Sequence, residues 1–227
     1  LFHRLIMTQI SNDKSACGAY WSEEKDEMIY DLVDWQEATF FVKWLLTNEH
    51  GVWAIFPPEE GKWCIHHKRK EEHDNGRIPY AAIGKDLRKH KGWSLGYIVN
   101  PPKEEPKGFK DDPKNKNKSY GAKKEHIKGA YCLFLEGDGG LSKEEQLRTI
   151  HEALPVFQPS FIVDTGGKSL HFYWRLTRMV SPEKFEEMQG RLVRLIKKVN
   201  PSFGVDDSLK KSNQILRVPG GLHGKTG

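Results

Sequence analysis

The run Tyr131-Cys132-Leu133-Phe134-Leu135 constrains the fold most. Consecutive residues of a strand point to opposite faces. A run that is apolar at every position therefore reads as a strand buried on both sides, inside a sheet with something packed on each face. Glu136-Gly137-Asp138-Gly139-Gly140 follows at once. Residues i and i+2 share a face, so Glu136 and Asp138 project together from the strand end before the glycines turn the chain. Two like charges this close repel unless a positive charge sits between them. A hard divalent cation is one such charge, since it takes carboxylate oxygens. The plainer alternative is a buried strand that ends in a polar turn.

The remaining sequence supplies partners for such a strand. Asp34, with Glu37 as reciprocal partner, caps a helix whose apolar stripe is Ala38, Phe41, Val42, Leu45 and Leu46. Val52–Phe56 and Lys62–His66 read as strands joined across Glu59–Gly61. A helix over Tyr80–Lys89 and a strand over Trp93–Asn100 follow. After the central strand, Ser142 and Glu145 form a capping box, with Leu147, Ile150 and Leu154 facing inward. Phe161–Val163 and Ser169–Leu176 read as strands connected by Thr165-Gly166-Gly167. Ser181 caps a long helix with Pro182 at its first position, and Asn200-Pro201 ends it. Ile215–Val218 is the last strand-like piece. Residues 1–34 read as an N-terminal extension with a short helix near Met28–Val33. Strands interleaved with helices predict an α+β or α/β sheet with helices packed on it.

Composition sets the outer limits. The chain has 227 residues and a net charge of +5, a mild basic excess that permits a polyanionic partner without requiring one. Its three cysteines, Cys17, Cys64 and Cys132, are too few and too scattered for a disulfide framework. A reducing, cytoplasmic setting is expected. No apolar run reaches membrane-spanning length and no signal peptide opens the chain, so no membrane partner is expected. Cys64, His66, His67 and His73 match no zinc-ligand spacing, and no zinc is expected. The chain reads as a fragment of a longer protein. Its longest aperiodic stretch, residues 101–128, holds nine lysines with Phe109 and Tyr120 between them. Two readings stand side by side: a solvated flap, or a phosphate-contacting loop whose aromatics stack on bases.

Two further segments carry chemistry. In Gly166-Gly167-Lys168-Ser169-Leu170-His171, Ser169 and His171 share a strand face, glycines allow close backbone approach, and Lys168 adds positive charge. Hydroxyl, imidazole and ammonium together suit phosphate oxygens. In Val205-Asp206-Asp207 a third carboxylate follows a helix and a turn, with Arg217 downstream. Asp207 competes with Asp206, and the spacing to Arg217 favours Asp206. Three acids beside a basic cluster are what metal-assisted phosphoryl chemistry needs. Gly167-Lys168-Ser169 and Gly224-Lys225-Thr226 are not phosphate-binding P-loops. The required earlier glycine is replaced by Ile162 and Pro219.

The three segments together resemble the archaeo-eukaryotic primase (AEP) superfamily, in particular its primase-polymerase and plasmid replication-primase branches. Glu136 and Asp138 match that family's first motif, Ser169 and His171 its Ser-x-His, and Val205-Asp206 its third. Arg217-Val218-Pro219-Gly220, with Lys225, resembles the downstream arginine element. The match runs over about residues 35–227. It departs at the first acid, which is glutamate where aspartate is usual, and Lys168 directly precedes Ser169 at a spot where family members vary.

The resemblance implies an RNA-recognition-like antiparallel sheet unit (about 129–227) with packed helices, an N-terminal α/β unit (about 35–128), and an active-site cleft between them. It implies a DNA primase or polymerase that transfers nucleotides from NTP or dNTP to a 3′-hydroxyl. Glu136, Asp138 and Asp206 would hold two Mg²⁺ or Mn²⁺ ions. Lys168, Ser169, His171, Arg217 and Lys225 would hold the triphosphate. Single-stranded or primed DNA is the implied partner, with a helicase or other replication module beyond this fragment. The rival reading is a non-catalytic DNA-binding replication initiator that keeps the fold.

Overall fold

The computed structural model describes residues 6–8, 19–22, 27–30, 35–46, 51–57, 65–68, 80–90, 92–104, 106–109, 111–114, 120–164 and 167–220. Asp34, Cys64, His73 and Lys225 lie outside them, as do the side chains of His66 and His67. Among the described residues no helix is long and apolar enough to cross a membrane.

Two four-stranded sheets carry the fold. The first has the order β1-β8-β9-β7, from β1 (Ile6–Thr8), β7 (Ala130–Glu136), β8 (Phe161–Asp164) and β9 (Leu170–Val180). The second has the order β10-β6-β4-β5, from β4 (Val52–Phe56), β5 (Ile65–Lys68), β6 (Ser94–Ile98) and β10 (Ile215–Arg217). The helices are α1 (Trp35–Leu46), α2 (Tyr80–Lys89), α3 (Lys143–Ala153) and α4 (Pro182–Val199). A separate hairpin pairs β2 (Ala19–Ser22) with β3 (Glu27–Tyr30). The helix expected near Met28–Val33 is therefore corrected. Ile29 and Tyr30 favour extended backbone, and Met28–Tyr30 pair as a strand, while residues 31–33 lie outside the described residues.

The order β7-α3-β8-β9-α4 is that of the expected RNA-recognition-like unit. Its last strand, however, goes elsewhere: β10 pairs antiparallel with β6 in the second sheet. At the far edge of the first sheet β1 adds in parallel to β8, so part of the stretch read as an extension belongs to the sheet. The free edge of β7 is covered by α4. The buried Gln189 amide donates to the carbonyl of Phe134 and accepts from its N–H, standing in for a neighbouring strand.

β7 is buried on both sides, as its composition requires. On β9, Tyr173 meets Phe41 of α1 edge-on at 5.1 Å, and Arg175 lies over Trp44. The alternate residues Phe172 and Trp174 meet Phe203 and Phe157. One hydrophobic cluster runs from the second sheet (Ile55, Leu95, Tyr97) through α1 to the first sheet. Burying each such apolar side chain contributes about 1.5–3 kcal/mol relative to exposing it. The capping box predicted at Ser142 and Glu145 is formed in full, and Ser181 caps α4 with Pro182 at its first position. β6 is buried at every position rather than on one face, because Leu95 and Tyr97 join the main core while Ile98 packs into a second cluster with Val52 and Ile127.

Candidate active site

Glu136, the last residue of β7, is the register partner of His171 on β9. Register partners share a face, and His171 Nε2 lies 3.2 Å from Glu136 Oε1. The imidazole is only 1% exposed. The approach has ion-pair distance without hydrogen-bond alignment, and Nε2 has no hydrogen-bond partner among the described residues. At the other ring nitrogen, the Tyr173 hydroxyl lies 3.4 Å from Nδ1. Burial, reinforced by Cys132 and Glu136, pushes the Tyr173 phenol well above its ordinary pKa, so it keeps its proton. An orphaned buried polar atom costs about 1–3 kcal/mol, so His171 Nε2 has hydrogen-bonding capacity that the described residues leave unused. Ser169, directly before β9, is buried, while Lys168 beside it is exposed.

The turn carrying these residues is gripped from α3. Gln146 Oε1 accepts the Leu170 N–H at 2.9 Å, and Nε2 donates to the carbonyls of Lys168 at 2.8 Å and Leu141 at 2.9 Å. The sequence pattern points to Leu147, Ile150 and Leu154 as the inward face. Ile150 is buried and Leu147 and Leu154 pack partly buried against the core, as that pattern expects, but Gln146 and Thr149 are buried with them.

Asp138 and Asp206 are linked through their backbones. The Gly139 N–H donates to the Phe203 carbonyl at 3.1 Å. A Cβ on Gly139 would lie 2.7 Å from the Phe203 carbonyl carbon and would overlap Ser202 O outright. A Cβ on Gly204 would lie 2.8 Å from the Asp138 carbonyl carbon, and Gly204 also has φ +70°. Two chain segments distant in sequence thus pack main chain on main chain, directly after Asp138 and directly before Val205-Asp206. Phe203 anchors the turn in the core, and the Asn200 side chain ties it to Thr149 of α3 at 2.9 Å.

The neighbouring acids differ in how they are held. Asp138 is exposed, and no hydrogen bond or ion pair engages its carboxylate among the described residues. Asp206 caps a single turn of 3-10 helix (Asp207–Lys210): Oδ1 accepts from Ser208 N at 2.8 Å and Oδ2 from the Ser208 hydroxyl. Asp207 is already compensated. Lys210 at 2.7 Å and Lys197 at 3.0 Å hold its carboxyl below the usual carboxylate range. Among the described residues no three His, Cys, Asp or Glu side chains form a ready-made metal cluster. Glu136 turns toward His171 and Asp206 folds back on Ser208. Arg217 stands on β10 in the second sheet, paired with Gly96, and its Nε is buried without a hydrogen-bond partner among the described residues.

The lysine loop has its own small core. Tyr120 stacks on His126 at 4.3 Å and meets Phe109 edge-on at 4.9 Å. Tyr120 is 6% exposed, so it packs inward and does not offer a face to a base. Lys107 and Lys114 are exposed, whereas Lys124 pairs with Glu186 of α4 at 2.7 Å.

No protein-family model and no curated protein sequence matches the chain. Among solved structures, the AEP domain of the cyanophage S-2L primase-polymerase matches with a TM-score of 0.62 at 19% identity. The match covers 86% of this chain and 87% of that one. The fold is that of a primase-polymerase AEP domain. The polymerase domain of Mycobacterium tuberculosis ligase D, in complex with DNA, is more distant, with a TM-score of 0.45 at 13% identity over 86% of this chain and 77% of that one. Of the residues singled out from the sequence, Glu136 and His171 stand opposite each other on β7 and β9, Ser169 directly precedes β9, and Asp138 and Asp206 lie on the two turns joined at Gly139 and Phe203. Sequence reasoning misses Gln146, Thr149 and Asn200, which hold the segments together.

Proposed function

We propose that this AEP-fold domain is a template-directed nucleotidyl transferase, a DNA primase or primase-polymerase. It joins an NTP or dNTP to a 3′-hydroxyl and releases pyrophosphate. The observation that carries the proposal is the main-chain contact of Gly139 with Phe203 and Gly204, which sets Asp138 and Asp206 on adjoining segments beside the Glu136–His171 pair.

Glu136, Asp138 and Asp206 suit Mg²⁺ or Mn²⁺ by donor chemistry. They offer oxygen donors and no thiolate, and among the described residues no ion pair engages the Asp138 carboxylate. A divalent cation held there would lower the pKa of the attacking hydroxyl and neutralise charge on the departing pyrophosphate. His171 donates from Nε2 to a phosphate oxygen, and Tyr173 at Nδ1 keeps the ring in that tautomer. Lys168, Ser169, Arg217 and Lys225 complete the hold on the triphosphate, with the Arg217 guanidinium offering a planar fork of donors. The exposed lysines of the 101–128 loop meet template phosphates.

Primer extension on a templated substrate with Mg²⁺ or Mn²⁺ tests this reading, comparing wild type with His171→Ala. Extension by wild type, with a raised triphosphate KM in the variant, is the expected result. A wild type that binds DNA but extends nothing under either metal would favour a non-catalytic replication initiator.

A further inference from the structure

α3 carries two buried polar side chains, Gln146 and Thr149, where a sheet-covering helix ordinarily places apolar ones. Buried polar groups are retained when they are hydrogen-bonded, and each of these is bonded to a segment of the candidate site. Gln146 is 1% exposed and uses both ends of its amide. It receives the Leu170 N–H and donates to the carbonyls of Lys168 and Leu141. The same Oε1 would lie 2.8 Å from a Cβ on Gly137, so the acid-bearing turn is packed directly on it. Thr149, on the same side of the helix, receives the Asn200 amide, and Asn200 in turn accepts from Ser202 N at 3.0 Å. Every segment that carries a candidate ligand on the first sheet or its following turn is therefore referenced to one helix face.

We propose that Gln146 is a positioning residue that sets Ser169 and His171 in register with Glu136 and Asp138. Its loss then weakens triphosphate binding more than it weakens the fold. The inference rests on the nucleotidyl-transfer reading for its ligand, though not for its geometry. Glutamine is specifically required. The Leu170 N–H needs an acceptor and the two carbonyls need donors, and one amide supplies both. Glutamate keeps the acceptor and sets an anion against two carbonyl oxygens. Methionine keeps the length and makes none of the bonds.

The test compares Gln146→Met and Gln146→Glu with an Ile150→Val control, which loosens the same helix without removing a polar partner. Two quantities are read. The first, without any ligand, is hydrogen exchange at the Leu170 amide and across residues 137–141. The second is the KM for triphosphate set against the Kd for primed DNA. Faster exchange in both Gln146 variants is expected, with a triphosphate KM raised roughly 10- to 100-fold, as for loss of a residue that orients a ligand-holding group. DNA affinity and the Ile150→Val KM should stay at the wild-type value. Unchanged exchange, or a KM no higher than in Ile150→Val, would overturn the inference. If neither variant folds, exchange in the wild type decides it: an unprotected Leu170 amide overturns the clamp. A wild type that takes no triphosphate at all would instead overturn the functional reading, and the nucleotide half of this inference with it.

Discussion

Gly139→Ala is the sharpest single perturbation of this domain. Gly139 does not have positive φ, so alanine costs nothing in backbone conformation there. The whole effect is space. A methyl group at this position would have to move the Phe203 carbonyl carbon from 2.7 Å to the 3.4 Å where ordinary contact begins, and Ser202 O farther still. Neither neighbour is a flexible side-chain end, so the two main chains must part. The Gly139–Phe203 hydrogen bond, worth about 0.5–1.5 kcal/mol, goes with them. Overpacking adds about 1–3 kcal/mol. The expected loss is about 1.5–4.5 kcal/mol of stability, from the sum of these two effects. Displacing Asp138 from Asp206 by something near 1 Å should slow transfer on the order of 10²-fold. Gly140→Ala is the control. A Cβ there meets nothing within 4 Å, but φ is +82°. It costs about 1–2 kcal/mol of backbone strain and leaves the two segments together. Single-turnover primer extension below both melting temperatures separates the cases. Equal impairment of the two variants, or a Gly139→Ala enzyme as fast as wild type, would refute the argument that this contact assembles the site.

Further outcomes follow from how the acids and the loop are held. Asp206→Asn should abolish transfer, whereas Asp207→Asn should leave it intact, because Asp207 is committed to Lys210 and Lys197; primer extension distinguishes them. Those lysines lower the folded pKa of Asp207, so its contribution to stability is present above the ordinary aspartate range and fades as pH falls through the depressed value. Melting temperatures of wild type and Asp207→Asn should therefore differ at neutral pH and converge in strong acid. In the lysine loop, Tyr120→Ala should lower the melting temperature and leave single-strand affinity unchanged, since Tyr120 packs on His126 and Phe109. Lys107→Gln and Lys114→Gln should each reduce the slope of log K against log salt by about 0.7 if the residue meets a phosphate.

The legible parts of this fold are those decided by local rules. The all-apolar run before Glu136 required a strand covered on both faces, and β7 is one. The capping box at Ser142 and the Ser181-Pro182 start needed only hydrogen-bond chemistry within one helical turn. The Glu136–His171 pairing was not legible in this way, because it depends on β7 and β9 being neighbours in the sheet. What stayed hidden depends on tertiary placement. Nothing local sends β10 to β6 or adds β1 to β8. Gln146 and Thr149 interrupt an apolar face, and a hydrophobic pattern discounts them although they face inward. Gly139 and Gly204 look like ordinary turn residues until the other segment is in place. Tyr120 reads equally well as a stacking surface or a core residue, and only the positions of His126 and Phe109 decide it.

The central claim is that acids from the β7 turn and from the segment after α4 share divalent cations at one site. Anomalous diffraction from crystals grown with Mn²⁺ and a non-hydrolysable triphosphate tests it most directly. The account predicts manganese held by Asp138 and Asp206, with Glu136 drawn away from His171 and the imidazole on a phosphate oxygen. Manganese bound without Asp206, or a triphosphate seated away from Ser169 and His171, would contradict it.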